Sequence, residues 1–340
     1  MPKFCIVESS STKWDEIVKK SGFYDFHHTS YFHQIDSAYE SLLLHFSDEE
    51  NFIALPIKYR EIPGTDYFDI SSVYGYAGPV FSFEPNYNKQ KLISFFNLTF
   101  KEFCISHKVV SVFSRLHPLI SQKQILTSLG NIDDLNRTVS IDLNIPAEQQ
   151  WSAYRKSLKY ELAQIRKKDI RVQITKDKSD IDDFITIYYE TMNRVGAASN
   201  YYFPKEYFHN FLNNQAFDSI LIMAKFNDVS IAGAIFTITG KIMQYHLAGT
   251  KEEFIKETPM KLILDEARLY GNSTSAESLH LGGGVSGRDD DSLFKFKSGF
   301  SKNFNRFSIW KFIVNQEVYN QLSSDCVNTG FFPLYRSSKL

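Results

Sequence analysis

An α+β fold is what the order of elements in this 340-residue chain predicts, and three observations carry the prediction. Short runs of branched and aromatic residues alternate with stretches of helical apolar spacing. Three strand-like runs follow one another closely between Ser219 and Ala248, which is the antiparallel habit. No Gly-x-Gly-x-x-Gly turn joins a strand to a helix, so the dinucleotide-binding parallel sheet is not indicated. The length exceeds what a single core supports, and two domains are expected.

In the first half, Phe4–Val7 reads as a strand and Lys13–Lys20 as a helix capped by Ser11 or Thr12. Asn51–Arg60 and Tyr67–Ser72 are strand-like, with a Pro63-Gly64 turn between them. Leu92, Phe95, Phe96, Phe100 and Phe103 give Lys89–His107 a helical stripe, and Val109–Leu116 is a strand. In the second half, Thr138–Leu143 is a strand and Pro146 opens a helix reaching about Lys168. Arg171–Thr175 follows as a strand, then helices over Asp180–Asn193, with Ser179 as N-cap, and over Pro204–Asn213. Ser219–Phe226, Ser230–Thr239 and Lys241–Ala248 are strands joined at Asn227-Asp228 and Thr239-Gly240. A helix from Pro259 to Tyr270 stops at Gly271, Ser278–Leu281 is a strand, and Phe307–Val314 is the last.

Composition narrows the function classes. Hydrophobic content of 43% with 30 Phe and 19 Tyr fits a packed globular protein with many aromatic side chains to line a pocket. A net charge of −1 confines any phosphate or nucleic-acid recognition to a local patch, and DNA is not an expected partner. Three scattered cysteines in no Cys-x-x-Cys spacing argue against a disulfide framework or a zinc site and suit a reducing cytoplasm. The first residues hold no apolar signal core, and no run approaches the ~18 apolar residues of a spanning helix. A cytoplasmic protein without a transmembrane segment is expected.

The densest chemical signal is residues 279–301, where an apolar strand runs into Gly282-Gly283-Gly284. A loop with Asp289, Asp290 and Asp291 comes next, then Lys295 and Lys297 among phenylalanines. Glycines at a strand end let backbone N–H groups approach a ligand, and a lysine among aromatics suits a phosphate or an oxyanion. Tyr245-His246-Leu247-Ala248-Gly249-Thr250 ends in a similar way. A helix separates the two strands, so they are expected side by side and parallel, with their glycines at one rim.

Four stretches together resemble the FemAB/FemX-like branch of the GNAT acyltransferases, in which two GNAT-like domains are fused. They are Ser72-Val-Tyr-Gly-Tyr-Ala-Gly-Pro-Val80, the basic stretch Leu158–Lys168, Tyr189-Glu-Thr-Met-Asn-Arg194, and the glycine-rich strand with Ser292–Phe300. The resemblance implies two GNAT-like domains, over 1–145 and 146–314, with 315–340 returning to the first. It implies an N-acyltransferase passing an aminoacyl or acyl group to an amine of a cell-envelope precursor, either an amino sugar nucleotide or a peptidoglycan or polysaccharide precursor. The donor is aminoacyl-tRNA or acyl-CoA as co-substrate, with no tightly bound cofactor and no metal. By the same resemblance Phe296 and Lys297 lie at the acyl-transfer centre, and Arg194 and Lys159 hold the acceptor's phosphates. Two features depart from the family pattern: Ser82 stands where an acidic residue often follows the Gly-Pro loop, and Glu257-Thr258-Pro259-Met260 replaces the pyrophosphate loop of acetyl-CoA enzymes. The coiled-coil arm of some members is absent.

From the residues themselves, several assignments stay open. Lys297 is either an oxyanion partner or a lysine laid over Phe294 and Phe296. The aspartates 289–291 are a base or a solvated loop. His246 and His280 are core histidines or face substrate. Tyr74 and Tyr76 either stack on a base or sugar or build a core turn. The seven basic residues Arg155, Lys156, Lys159, Arg166, Lys167, Lys168 and Arg171 form a solvated face or meet a diphosphate or a tRNA backbone. An acetyl-CoA-dependent enzyme for an unrelated amine and a non-catalytic GNAT-like binding protein are the competing functions.

Overall fold

The structure, a computed structural model, describes residues 1–35, 38–288 and 290–337. The chain divides into two compact units, Met1–Asn136 with Arg306–Leu340, and Arg137–Asn305.

In the first unit, β1 (Lys3–Glu8), β2 (Glu40–Asp48), β3 (Asn51–Glu61) and β4 (Phe68–Ser71) pair antiparallel in that order, and β5 (Val80–Ser82) pairs with β3. The helix Lys89–Ser106 then leads to β6 (Val109–Leu116), which lies parallel to β4. That helix buries Leu92, Phe96, Phe100 and Phe103 at three- and four-residue spacing against Phe46, Ile53 and Val112 of the sheet. On the other side, Trp14, Ile17 and Val18 of the helix Thr12–Lys20 pack on Leu43, Phe52 and Ala54. Ser11 is the N-cap of that helix and accepts from the Lys13 N–H.

The second unit repeats the order. β7 (Asn131–Asp142) precedes it, and β8 (Ile170–Thr175), β9 (Asp218–Phe226), β10 (Val229–Thr239) and β11 (Ile242–Thr250) pair antiparallel. The helices Lys178–Arg194 and Lys205–Leu212 stand between β8 and β9. The helix Met260–Gly271 connects β11 to the parallel β12 (Ser278–Gly282), whose other edge pairs antiparallel with residues 139–142 of β7. After the short helix Ser292–Lys297, β13 (Asn303–Ile313) places Ser308–Ile313 on β6. The last strand in each half of the sequence thus completes the sheet of the other unit. Each unit is an α+β, GNAT-like sheet, antiparallel except for one pair joined through a helix.

Three local readings are corrected and one turn agrees with its residue types. β2 is not visible in the sequence because its turn to β3, Glu49-Glu50, carries no glycine or asparagine, although Glu49 takes φ +57°. At the β9–β10 turn both Asn227 and Asp228 have positive φ, as their residue types suggest. The helix expected from Pro146 to Lys168 breaks into Ala147–Ala153 and Lys156–Ile165, because Tyr154 is extended and the Arg155 N–H turns to Gly299 O at 2.8 Å. The N-cap of Lys178–Arg194 is Asp177 rather than Ser179.

Candidate active site

β11 and β12 run parallel, as their connecting helix requires, but pair only from Ile242↔Ser278 to Gln244↔His280. Beyond that point β11 continues to Thr250 on β10 alone, while β12 bulges and pairs Gly282 with Val139. The two strands part, and the opening lies between Tyr245 on one side and Gly283 on the other.

Lys297 fills the mouth of this opening. The residues expected as a Phe-Lys turn form one and a half turns of helix, Ser292–Lys297, capped by Asp291. The Lys297 ammonium donates to Gly283 O at 2.8 Å and lies 5.4 Å from the centre of the Tyr245 ring. Lys297 is 7% exposed, and burial pulls its pKa from 10.5 down to about 8, against an opposing pull from Asp291. It is therefore a desolvated cation at neutral pH. Burial also pushes the Tyr245 phenol up, so the ring beside it stays neutral. Phe296, half-buried, meets Phe300 edge-on at 5.6 Å and anchors the helix to the core.

The glycines shape the rim. Gly282 takes φ +75°, which lets β12 turn away from its partner. A Cβ on Gly284 would lie 2.4 Å from Asp291 Oδ1. Asp291 accepts from the N–H groups of Ser286 (2.9 Å), Phe294 (3.0 Å) and Val285 (3.1 Å), and from the Ser286 hydroxyl at 2.9 Å. These bonds hold its carboxyl far below the usual range, so Asp291 clasps the loop and is a poor base. Asp290 is taken up by Arg288, and Asp289 lies outside the described residues.

The other candidates of this unit are held by partners of their own. His246 follows Tyr245 on the strand and so points to the opposite face, where it stacks on Phe211 at 4.8 Å and bonds the Tyr207 hydroxyl at 3.1 Å. His280 is fully buried, with Nδ1 2.7 Å from Gln244 Oε1. Arg194 donates to Thr250 O at 3.0 Å, and the Thr250 N–H donates to Thr191 Oγ1 at 3.0 Å. The Thr-x-x-Arg motif therefore ties its helix to the end of β11. Lys159 donates to Ser152 O at 2.9 Å and pins the two halves of the broken helix. In the same basic stretch, Arg166 pairs with Asp265, Lys168 with Glu257 and Arg171 with Asp169.

Tyr74 and Tyr76 belong to the first unit. Tyr74 is exposed and lies under the Arg115 guanidinium at 5.0 Å. Tyr76 meets the rings of His117 at 5.6 Å and His27 at 6.2 Å, and burial pushes its phenol up. Sequence reasoning missed what these rings border. Asp25 is wholly buried, 2.8 Å from His27 Nδ1 and 3.4 Å from His117 Nε2. Burial opposes its ionisation, but attraction and hydrogen bonds from the two imidazoles outweigh that and hold its carboxyl low. The run Asp25-Phe26-His27-His28 was the available signal. Gly75, at φ +126°, leaves room for His27: a Cβ there would lie 2.0 Å from Nε2.

No helix among the described residues is long and apolar enough to cross a membrane. No protein-family model and no curated protein matches the sequence. Among solved structures, a crystal structure of FemX covers 94% of this chain and 99% of its own, at 13% identity and a TM-score of 0.72. The C-terminal domain of a putative lysylphosphatidylglycerol synthetase from Agrobacterium fabrum has a TM-score of 0.52 and 12% identity over 82% of this chain and 85% of its own. L-PGS from Bacillus licheniformis has a TM-score of 0.51 and 10% identity over 81% and 85%. The fold of this chain is accordingly that of FemX along nearly its whole length.

Proposed function

We propose that this protein is an acyltransferase that passes an aminoacyl or acyl group to an amine, with Lys297 at the reacting centre. The observation that carries the reading is the desolvated ammonium in the mouth between parted parallel strands, with Gly283 O and the Tyr245 ring fixing its place. Attack of the acceptor nitrogen on the acyl carbonyl forms a C–N bond and moves charge onto the carbonyl oxygen. Collapse breaks the C–O or C–S bond to the donor, and the nitrogen releases its proton. A buried cation stabilises the developing oxyanion or the departing group more than it does the neutral ester or thioester. FemX and the two lysylphosphatidylglycerol synthetase structures favour an aminoacyl donor by their names, and FemX favours an amine of a cell-envelope precursor as acceptor. Phe296 positions Lys297 through the short helix in this reading.

One observation favours a second donor. Residues 245–250 of β11 present to the opening an edge that β12 does not pair with, and an extended amide chain such as that of an acyl-CoA pairs with such an edge.

The test is transfer of radiolabelled acyl groups from charged tRNA and from acetyl-CoA to UDP-amino sugars and peptidoglycan-precursor amines. Transfer from one donor that falls at least a hundredfold in Lys297→Met supports the reading. Full transfer by that variant removes Lys297 from the chemistry, and absence of transfer and of donor binding leaves a binding protein.

A further inference from the structure

The first unit holds a cavity of about 420 Å³ that the proposed reaction does not use, within the size range of small-molecule sites. Its floor is one face of β6 and β13. Phe113 faces Lys311 and Arg115 faces Ile309 across the ladder, while Val112, Leu116, Trp310 and Phe312 point the other way into the core. Its wall is the segment 330–336, held by Tyr335 on Ser111 (2.7 Å) and by the Leu334 N–H on the Tyr319 hydroxyl (3.0 Å).

The lining is cationic and aromatic: Arg60, Arg115, Lys311 and Arg336 beside Phe331 and Phe332, with no acidic residue among the described lining residues. Asp69, wholly buried beneath, accepts from Arg60 Nε at 2.6 Å and from Arg336 Nε at 2.8 Å. One carboxylate shared by two guanidiniums orders both and leaves that trio positive. The Arg115 guanidinium carbon lies 5.0 Å from the centre of the Tyr74 ring and 5.3 Å from that of Phe113, so aromatic rings flank this cation. Lys311 lies 2.7 Å from Asp133 and 6.0 Å from the Phe332 ring. Phe331 is 55% exposed at the mouth of the cavity.

We propose that this cavity binds an organic phosphate, with the phosphate on Arg115 and Lys311 and a planar or apolar body against Phe331 and Phe332. A guanidinium and an ammonium on one face offer a phosphate charge-assisted bonds, Arg60 and Arg336 add positive charge beside them, and an exposed ring at the mouth gains by stacking. A soluble nucleoside diphosphate and a phospholipid headgroup share this chemistry. The proposal does not rest on acyl transfer, because binding is measured with no donor present.

Titration calorimetry of the full chain uses ADP, UDP, inorganic pyrophosphate and phosphatidylglycerol vesicles as probes, at two salt concentrations. Saturable binding is expected that weakens with salt and falls about tenfold in Arg115→Met and in Lys311→Met. Lys311→Arg, which keeps the charge, is expected to bind as wild type does. Phe331→Ala is expected to weaken a nucleotide while sparing pyrophosphate. Binding of vesicles alone, lost in the same variants, assigns the phosphate to a lipid. The proposal fails if no probe saturates the wild type, or if Arg115→Met and Lys311→Met, with unchanged melting temperatures, bind every probe as the wild type does.

Discussion

Replacing Lys297 by methionine keeps most of its length and removes a buried charge, and the structure fixes what that does to stability. A fall in pKa from 10.5 to about 8 in the folded chain is equivalent to roughly 3 kcal/mol of penalty for holding the ammonium out of water. Because the folded value is depressed, the penalty is fully present below pH 8, where both states bind the proton. It is relieved as pH rises from about 8 toward 10.5, where the folded chain has released the proton and the unfolded chain has not. From pH 7 to 9.5 the wild type should gain roughly 2 kcal/mol from this group alone. Lys297→Met should be more stable than wild type at pH 7, less the bond to Gly283 O, and its advantage should shrink by that amount at pH 9.5. Urea unfolding of both proteins at the two pH values measures the difference directly. A wild-type-minus-variant difference that stays flat from pH 7 to 9.5 would refute the account of Lys297 as a desolvated cation.

Activity has its own pH signature: if Lys297 acts as a cation, turnover should decline as pH rises through about 8, and a rate that climbs instead would make it a base. Asp291→Ala removes the cap of Ser292–Lys297 and the clasp on 285–286, at a cost of about 1 kcal/mol. Hydrogen exchange at Val285, Ser286 and Phe294 should accelerate, and unchanged protection there would count against the clasp. Gly249→Ala should cost about 1–3 kcal/mol in thermal unfolding, because its Cβ would lie 2.9 Å from Ile187 O, a backbone atom that cannot swing aside. Asp25→Asn removes the buried carboxylate that faces His27 and His117 and should cost about 1–3 kcal/mol. In the wild type this contribution is present above pH 4 and lost as pH falls through the depressed folded pKa, which an acid titration of stability follows.

The α+β order and the parallel placement of β11 and β12 were readable in the sequence, since apolar period, turn residues and a connecting helix are local properties. The glycine-rich strand was legible from residue type, and the family resemblance singled out Lys297 over Lys295 within the same phenylalanine run. Its burial, its bond to Gly283 O and the parting of the strands after Gln244 and His280 come only from the packed structure. Pairing register decides those features, and register depends on residues far apart in sequence. For the same reason His246 looked equivalent to His280, whereas the ladder sets Gln244 opposite His280. The bond from Arg194 to Thr250 O has no signal in the sequence, and the cationic cavity of Arg60, Arg115, Lys311 and Arg336 spans residues from three distant stretches. The exchange of last strands, β7 into the second unit and β13 into the first, likewise has no local signature. The sequence determined most of the elements, and the resemblance it carries picked the residue to test first. Tertiary structure decided which side chains share a site, because burial and hydrogen bonding between distant segments set their charge and direction.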